Sequence, residues 1–274
     1  MRKVFFFVFL CTVFVACSTS KTMDNDPWGK IDAEKAPKQS SVFDLSMYSS
    51  SMGRNMTYSV YLPAGYDKEK NYPIFFLLHG YEDTNQNAKH NRCWLDKGNA
   101  AKIADDYMKA GGVPMVIVMP NGLDKFYIND GYEKYFEEEL MPKVEADYKC
   151  NGKRAIGGLS MGGFGTLYHS LKYPAKFTYA YAMSPAAKID WGFMKIDPKD
   201  FIALQEDKSV FPSYTIEVGL QDFTVNNNDA KTLCRAMTQN GISCEWIERE
   251  GTHDWPFWKV CLPKALVKVG ESFK

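Results

Sequence analysis

The chain is sparing in histidine and has no surplus of either charge. Its 274 residues include four histidines, and 33 Lys+Arg balance 33 Asp+Glu, for a formal net charge of zero. There is no long basic run, so nothing points to a nucleic-acid partner. No two histidines stand at HxxxH spacing and no cysteines at CxxC spacing. A zinc site is therefore not expected, and neither is any metal or other cofactor. The longest apolar run, VFFFVFLCTVFVA, falls well short of the roughly 20 residues that a membrane span needs. No internal repeat is visible.

That run instead has the make-up of an export signal. A basic MRK precedes it, and a polar stretch, STSKTMDNDP, follows Cys17. Phe14-Val15-Ala16-Cys17 resembles a bacterial lipobox, with Phe14 where Leu is usual. In that reading residues 1–17 are a leader, Cys17 carries a lipid, and the membrane is met only through that anchor. The expected location is then the bacterial cell envelope, on its periplasmic or surface side. Plain signal-peptidase cleavage nearby is the alternative. Residues 18–40, polar and interrupted by Pro27 and Pro37, read as a tether ahead of one domain, 41–274. Export permits disulfides. Five cysteines lie beyond Cys17, so at least one stays unpaired. Cys234, on an expected helix, and Cys244, on the expected strand after it, are the favoured pair.

What the domain has in quantity is apolar strand. IFFLLHG (74–80) and MVIVMPNG (115–122) are continuous apolar runs ended by glycine, as suits strands covered on both faces. TYSVYLP (57–63) alternates and reads as half-buried. RAIGGL (154–159), TYAYAMS (178–184), YTIEVG (214–219) and CEWIERE (244–250) are further strands. Helices are expected over 99–112, 131–148, 163–174, 229–241 and 256–270. Pro142 should kink or divide the second, and Pro263 lies in the last. Strand and helix alternate from residue 74 onward. The fold class is α/β, a mostly parallel central sheet with helices on both faces.

In such a sheet ligands lie beyond the carboxyl ends of the strands. There, between an expected strand and an expected helix, stands Gly158-Leu159-Ser160-Met161-Gly162, a G-x-S-x-G in the context that motif requires. Side chains at 158 and 162 would collide in so sharp a turn, which would leave the Ser160 oxygen projecting from the sheet. The amide of Met161, at the helix start, points where an oxyanion would form. A serine nucleophile needs a base, and the base needs orienting. Among the histidines, only His253 combines a loop position with the chain order serine, acid, histidine. Asp222, just after YTIEVG, is the favoured acid over Asp229, Glu217 and Asp254. A second oxyanion donor should come from LLHGYEDT (77–84), with the Tyr81 amide as candidate. Trp94, Trp255 and Trp258 are candidates for an aromatic substrate wall, with core packing as the alternative.

LLHG, IVMPNG, GLSMGGFG, VGLQD and EGTHDWPFW, in this order and spacing, resemble the esterase D and feruloyl esterase-like branch of the α/β-hydrolases, which includes carbohydrate esterase family one. The resemblance runs from about residue 40 to the end. It implies cofactor-free hydrolysis of carboxylic esters through an acyl-serine, with Ser160 as nucleophile, Asp222 as acid, His253 as base, and Met161 and Tyr81 as oxyanion amides. Together with export it implies acetyl or feruloyl esters of plant polysaccharide, or related small esters, as substrates. A short-chain carboxylesterase, an acyltransferase and a non-catalytic carbohydrate-binding lipoprotein are the other readings. The stretch TNQNAKHNRCW (84–94) is longer than the usual link after the oxyanion turn, so acyl preference does not carry over. Neither the oligomeric state nor the membrane face can be read from the sequence.

Overall fold

The computed structural model describes residues 39–82, 89–128 and 131–274. The expected leader, the expected lipid site at Cys17 and nearly all of the expected 18–40 tether lie outside them. Among the described residues no helix is long and apolar enough to cross a membrane.

The chain opens with β1 (Ser41–Ser49), β2 (Arg54–Leu62) and β3 (Tyr72–Leu78). Two helices, α1 (Cys93–Asp96) and α2 (Ala100–Lys109), lead to β4 (Val116–Pro120). A helical stretch then runs through α3 (Tyr132–Lys134), a π-helical turn (Tyr135–Leu140) and α4 (Met141–Asp147) to β5 (Cys150–Leu159). The helix α5 (Met161–Lys172) and β6 (Tyr179–Met183) follow. A small hairpin, β7 (Ile189–Asp190) and β8 (Lys195–Ile196), and a short α6 (Asp200–Leu204) come next. The chain closes with β9 (Ser213–Gly219), α7 (Asn227–Gln239), β10 (Cys244–Arg249) and α8 (Trp255–Ser272).

Eight strands form one sheet in the order β1-β2-β4-β3-β5-β6-β9-β10. From β4 to β10 every neighbouring pair is parallel, while β2 runs antiparallel to both β1 and β4. Every residue of β3 is buried, because helices cover both its faces. Phe75 and Leu77 join the core under α2 and α8. Phe76 packs edge-on against Phe136, with ring centroids 5.3 Å apart, and Leu78 faces Gly165 of α5 on the opposite side. This is the expected two-faced α/β sandwich. The hairpin and α6, inserted between β6 and β9, were not anticipated, since two-residue strands carry no periodic signal.

Two local expectations change. β2 is more deeply buried than its alternation suggests, because its polar residues face hydrogen-bonded partners instead of water. Ser59, fully buried, donates to Asp44 Oδ1 at 2.7 Å and accepts from Asn91 Nδ2 at 2.7 Å. Pro142 does not divide its helix. The turn before it widens to π geometry, the relief expected where a proline ring and its missing N–H disturb an α-helical ladder. Pro263 is accommodated within α8, where it and Lys259, four residues earlier, both face solvent, so the carbonyl it leaves unbonded is on the wet side.

Cys234 and Cys244 form a disulfide between α7 and β10, with Cα atoms 5.8 Å apart, while Cys93, Cys150 and Cys261 are free. A second tie at that side of the sheet is ionic. Glu217 of β9 has a fully buried side chain that accepts from Tyr181 Oη at 2.5 Å, from Lys264 Nζ at 2.8 Å and from Arg249 Nε. Burial pushes its carboxyl up, but the Lys264, Tyr181 and Arg249 contacts outweigh this and hold it below the ordinary carboxylate range.

Replacing Cys234 and Cys244 together by serine should lower unfolding stability by about 2–3 kcal/mol, the loop-closure scale for so short a span, as measured by denaturant melts under oxidising conditions. The Glu217→Gln variant should lose about 3 kcal/mol at pH 7, because it leaves a cation pair without its partner. A carboxyl with a depressed folded-state pKa stabilises fully above its unfolded value and ceases to do so as pH falls through the folded value. The gap between wild type and variant should therefore close in melts below about pH 4.

Candidate active site

The turn at Ser160 is shaped by what cannot fit there. A Cβ on Gly158 would lie 2.7 Å from the carbonyl carbon and oxygen of Gly162 and 2.7 Å from the Leu78 oxygen. One on Gly162 would lie 2.5 Å from the oxygens of both Leu78 and His79. The collision expected between positions 158 and 162 thus has a third party, the carboxyl end of β3. With β5 passing so closely into α5, Ser160 adopts φ 52° and ψ −113°, a conformation costly for any residue with a side chain. Its amide donates to the Met183 oxygen at 2.9 Å, which anchors the turn to β6. Ser160 directly precedes α5, so Met161 holds its first helical amide, one of the N–H groups that have no acceptor within a helix.

Three distant loops converge on this serine. His253, between β10 and α8, places Nε2 2.8 Å from Ser160 Oγ, and its Nδ1 lies 2.7 Å from Asp222 Oδ2. Asp222 follows β9 and is buried, and its other oxygen accepts from the Thr224 amide at 3.0 Å. Burial pushes the Asp222 carboxyl up, but the His253 contact, the Thr224 amide and the Ser184 hydroxyl together hold it below the ordinary aspartate range. It is therefore an ionised acceptor, which fixes the His253 proton on Nδ1 and leaves Nε2 to accept from the serine hydroxyl. The rival acids are occupied elsewhere. Asp254 caps α8 by accepting from the Phe257 amide at 3.0 Å, Asp229 pairs with Lys188 at 2.9 Å, and Glu217 is the buried tie described above.

Opposite the histidine lies the turn after β3. A Cβ on Gly80 would come within 2.4 Å of Leu159 Cδ1 and 3.4 Å of Ser160 Cβ, so the backbone leading to Tyr81 runs directly against Ser160. His79, to which the sequence assigned no role, holds this turn. Its Nδ1 donates to the Gly80 oxygen at 2.6 Å, and its Nε2 accepts from the Gly122 amide at 2.8 Å. Burial drives its pKa down to about 3, so the ring is a neutral strut with one tautomer. The loop it braces is strained: Leu123, Asp124, Phe126 and Tyr127 all have positive φ. Nothing in the sequence marks that strain, because none of the four is glycine or asparagine. His169 is also structural, placed 2.7 Å from Glu137 Oε1 and 2.9 Å from the Tyr127 oxygen.

Of the three tryptophans offered as a candidate aromatic wall, Trp94 and Trp258 are core residues. Trp94 is 1% exposed and donates Nε1–H to the Leu78 oxygen, and Trp258 is 6% exposed. Trp255 is wedged between them, with ring centroids 5.3 Å from Trp94 and 5.4 Å from Trp258. Trp94 and Trp258 belong to the core beneath α8, and the partly buried Trp255 packs against it. Trp258 instead backs the catalytic-loop imidazole, its ring edge-on to His253 at 5.0 Å. Among the described residues no group of three or more His, Cys, Asp and Glu side chains could hold a metal ion.

Comparison with known proteins agrees with this architecture. The chain is 29% identical to an endo-1,4-beta-xylanase/feruloyl esterase of Xylanibacter ruminicola, over 80% of its own length and 30% of that protein's. It is 27% identical to an acetyl esterase of Caldicellulosiruptor saccharolyticus, over 82% of its length and 96% of that protein's. So it spans less than a third of the first relative and nearly all of the second. A solved ferulic acid esterase superposes with a TM-score of 0.75 at 26% identity, covering 86% of this chain and all of that one. The fold is accordingly that of an α/β-hydrolase. The sequence model of the Esterase family matches residues 49–269, from β1 to within α8, and the chain belongs to that family.

Proposed function

We propose that the protein is a serine ester hydrolase in which Ser160, His253 and Asp222 act as nucleophile, base and orienting acid. The observation that carries this is the unbroken line Ser160 Oγ, His253 Nε2, His253 Nδ1, Asp222 Oδ2, with both links under 3 Å. Ser160 Oγ attacks the ester carbonyl while His253 Nε2 takes its proton. Asp222 stays ionised and stabilises the imidazolium. The Met161 and Tyr81 amides receive the developing oxyanion, each worth typically 10²–10³-fold in turnover. The imidazolium then protonates the departing alcohol, and in the second half-reaction His253 removes a proton from water as it attacks the acyl-serine.

The acyl groups we propose are acetyl and feruloyl, carried on plant polysaccharide or related small esters. The names of the acetyl esterase and feruloyl esterase relatives support this reading. A lipid on Cys17, with the enzyme held at the cell envelope, is the location that residues 1–17 favour.

The Ser160→Ala variant should fold as wild type and lose at least about 10⁴-fold in kcat on p-nitrophenyl acetate and methyl ferulate, and should no longer react with a fluorophosphonate probe. Retention of a tenth of the rate would refute the nucleophile. In cells fed labelled palmitate, the full chain should take up label and the Cys17→Ser chain should not; equal labelling of both rules out this anchor.

A further inference from the structure

The loop that carries Asp222 also carries a side chain that no packing explains. Phe223, the next residue, is 90% exposed, and Leu220 two residues before Asp222 is 49% exposed. They line a shallow cleft of about 520 Å³, whose other lining residues are polar apart from Val225 and include the exposed Thr224, Asn226 and Asn228. A phenyl ring left in water forgoes the free energy of burial, roughly 1.5–3 kcal/mol for such a side chain. The loop is nevertheless rigidly built. Asp222 Oδ1 accepts from the Thr224 amide at 3.0 Å, and Asn227 Nδ2 donates to the Gly219 oxygen at 3.0 Å. An exposed apolar ring sharing a cleft with exposed amide and hydroxyl side chains is the combination that a pyranose satisfies, stacking its C–H face while its hydroxyls hydrogen-bond.

The position relative to the chemistry selects which part of the substrate this is. Asp222 orients His253, and His253 gives its proton to the alcohol oxygen as the ester bond breaks. The leaving alcohol must therefore lie on the histidine side of the serine, the side on which the Asp222 loop stands. We propose that Phe223, with Leu220 and Asn228, forms a subsite for a sugar ring of the alcohol part of the ester, so that the enzyme reads the glycosyl carrier as well as the acyl group. This rests on the ester-hydrolase reading above and adds to it a recognition element for the carrier.

The test is a ratio. For wild type and Phe223→Ala, kcat/KM is measured on a feruloylated xylo-oligosaccharide and on methyl ferulate, with the acetylated oligosaccharide and p-nitrophenyl acetate as a second pair. Because Phe223 is almost wholly exposed, its truncation poses little risk to folding. The expected result is a fall of about tenfold in the oligosaccharide-to-simple-ester ratio in both pairs, carried mainly by KM, and its recovery in Phe223→Trp. An unchanged ratio in a variant that still hydrolyses both esters overturns the subsite and leaves the esterase reading standing. Wild type that hydrolyses simple esters but neither oligosaccharide ester overturns both the subsite and the polysaccharide reading. Wild type inactive on all four esters overturns the ester-hydrolase reading, and the subsite with it.

Discussion

The contact on which the site depends is one of backbone with backbone. Leu78 and His79, at the end of β3, press against Gly158 and Gly162 at distances that leave no room for a single methyl group. Because β3 and β5 are neighbours in the sheet, the turn from β5 to α5 has nowhere to spread. The strain falls on Ser160, whose positive φ lifts its side chain out of the sheet toward the histidine. The same contact brings Gly80 against Ser160, so Ser160 and the turn after β3 are positioned by one constraint.

Strain is spread along that whole edge. Positive φ recurs at Leu123, Asp124, Phe126 and Tyr127 after β4, at Ser160 after β5 and at Ser184 after β6. Each such residue costs on the order of 1–3 kcal/mol and persists only where its surroundings over-determine it. Here the surroundings are buried hydrogen bonds: Tyr132 Oη to the Asn121 oxygen at 3.0 Å, Tyr127 Oη to the His79 oxygen at 2.9 Å, and His169 against the Tyr127 oxygen. Among the described residues, the opposite end of the sheet carries no comparable run of strained non-glycine residues. Rigidity at the carboxyl edge is what holds three loops to within hydrogen-bonding distance of one another.

Two histidines near the serine show how environment divides labour. His79 is enclosed, with both ring nitrogens committed to backbone groups, and burial keeps it neutral. His253 keeps one nitrogen on an ionised carboxylate and the other on a hydroxyl, and its side chain retains 13% exposure. A fixed neutral ring makes a strut; a ring between an acid and a nucleophile makes a proton carrier.

Much of this was legible in the residues. The apolar runs at 74–80 and 115–122 dictated buried parallel strands, because a strand covered on both faces has no polar side to show. The glycines at 158 and 162 announced the tight turn, and the order of Ser160, Asp222 and His253 singled out those side chains for convergence. Cys234 and Cys244 were the favoured pair because they stand close in sequence, on a helix and the strand after it, and they form the disulfide. What the chain could not disclose alone were facts about neighbours distant in sequence. Trp94, Trp255 and Trp258 could be read as a binding wall, though core packing is the favoured reading, and only the packing of α8 on the sheet buried Trp94 and Trp258. His79 became a strut because the Gly122 amide, 43 positions on, arrives at its ring. Local pattern determines which face of an element is apolar. Which polar groups and aromatic rings then meet is decided when the sheet closes and brings its strand ends side by side.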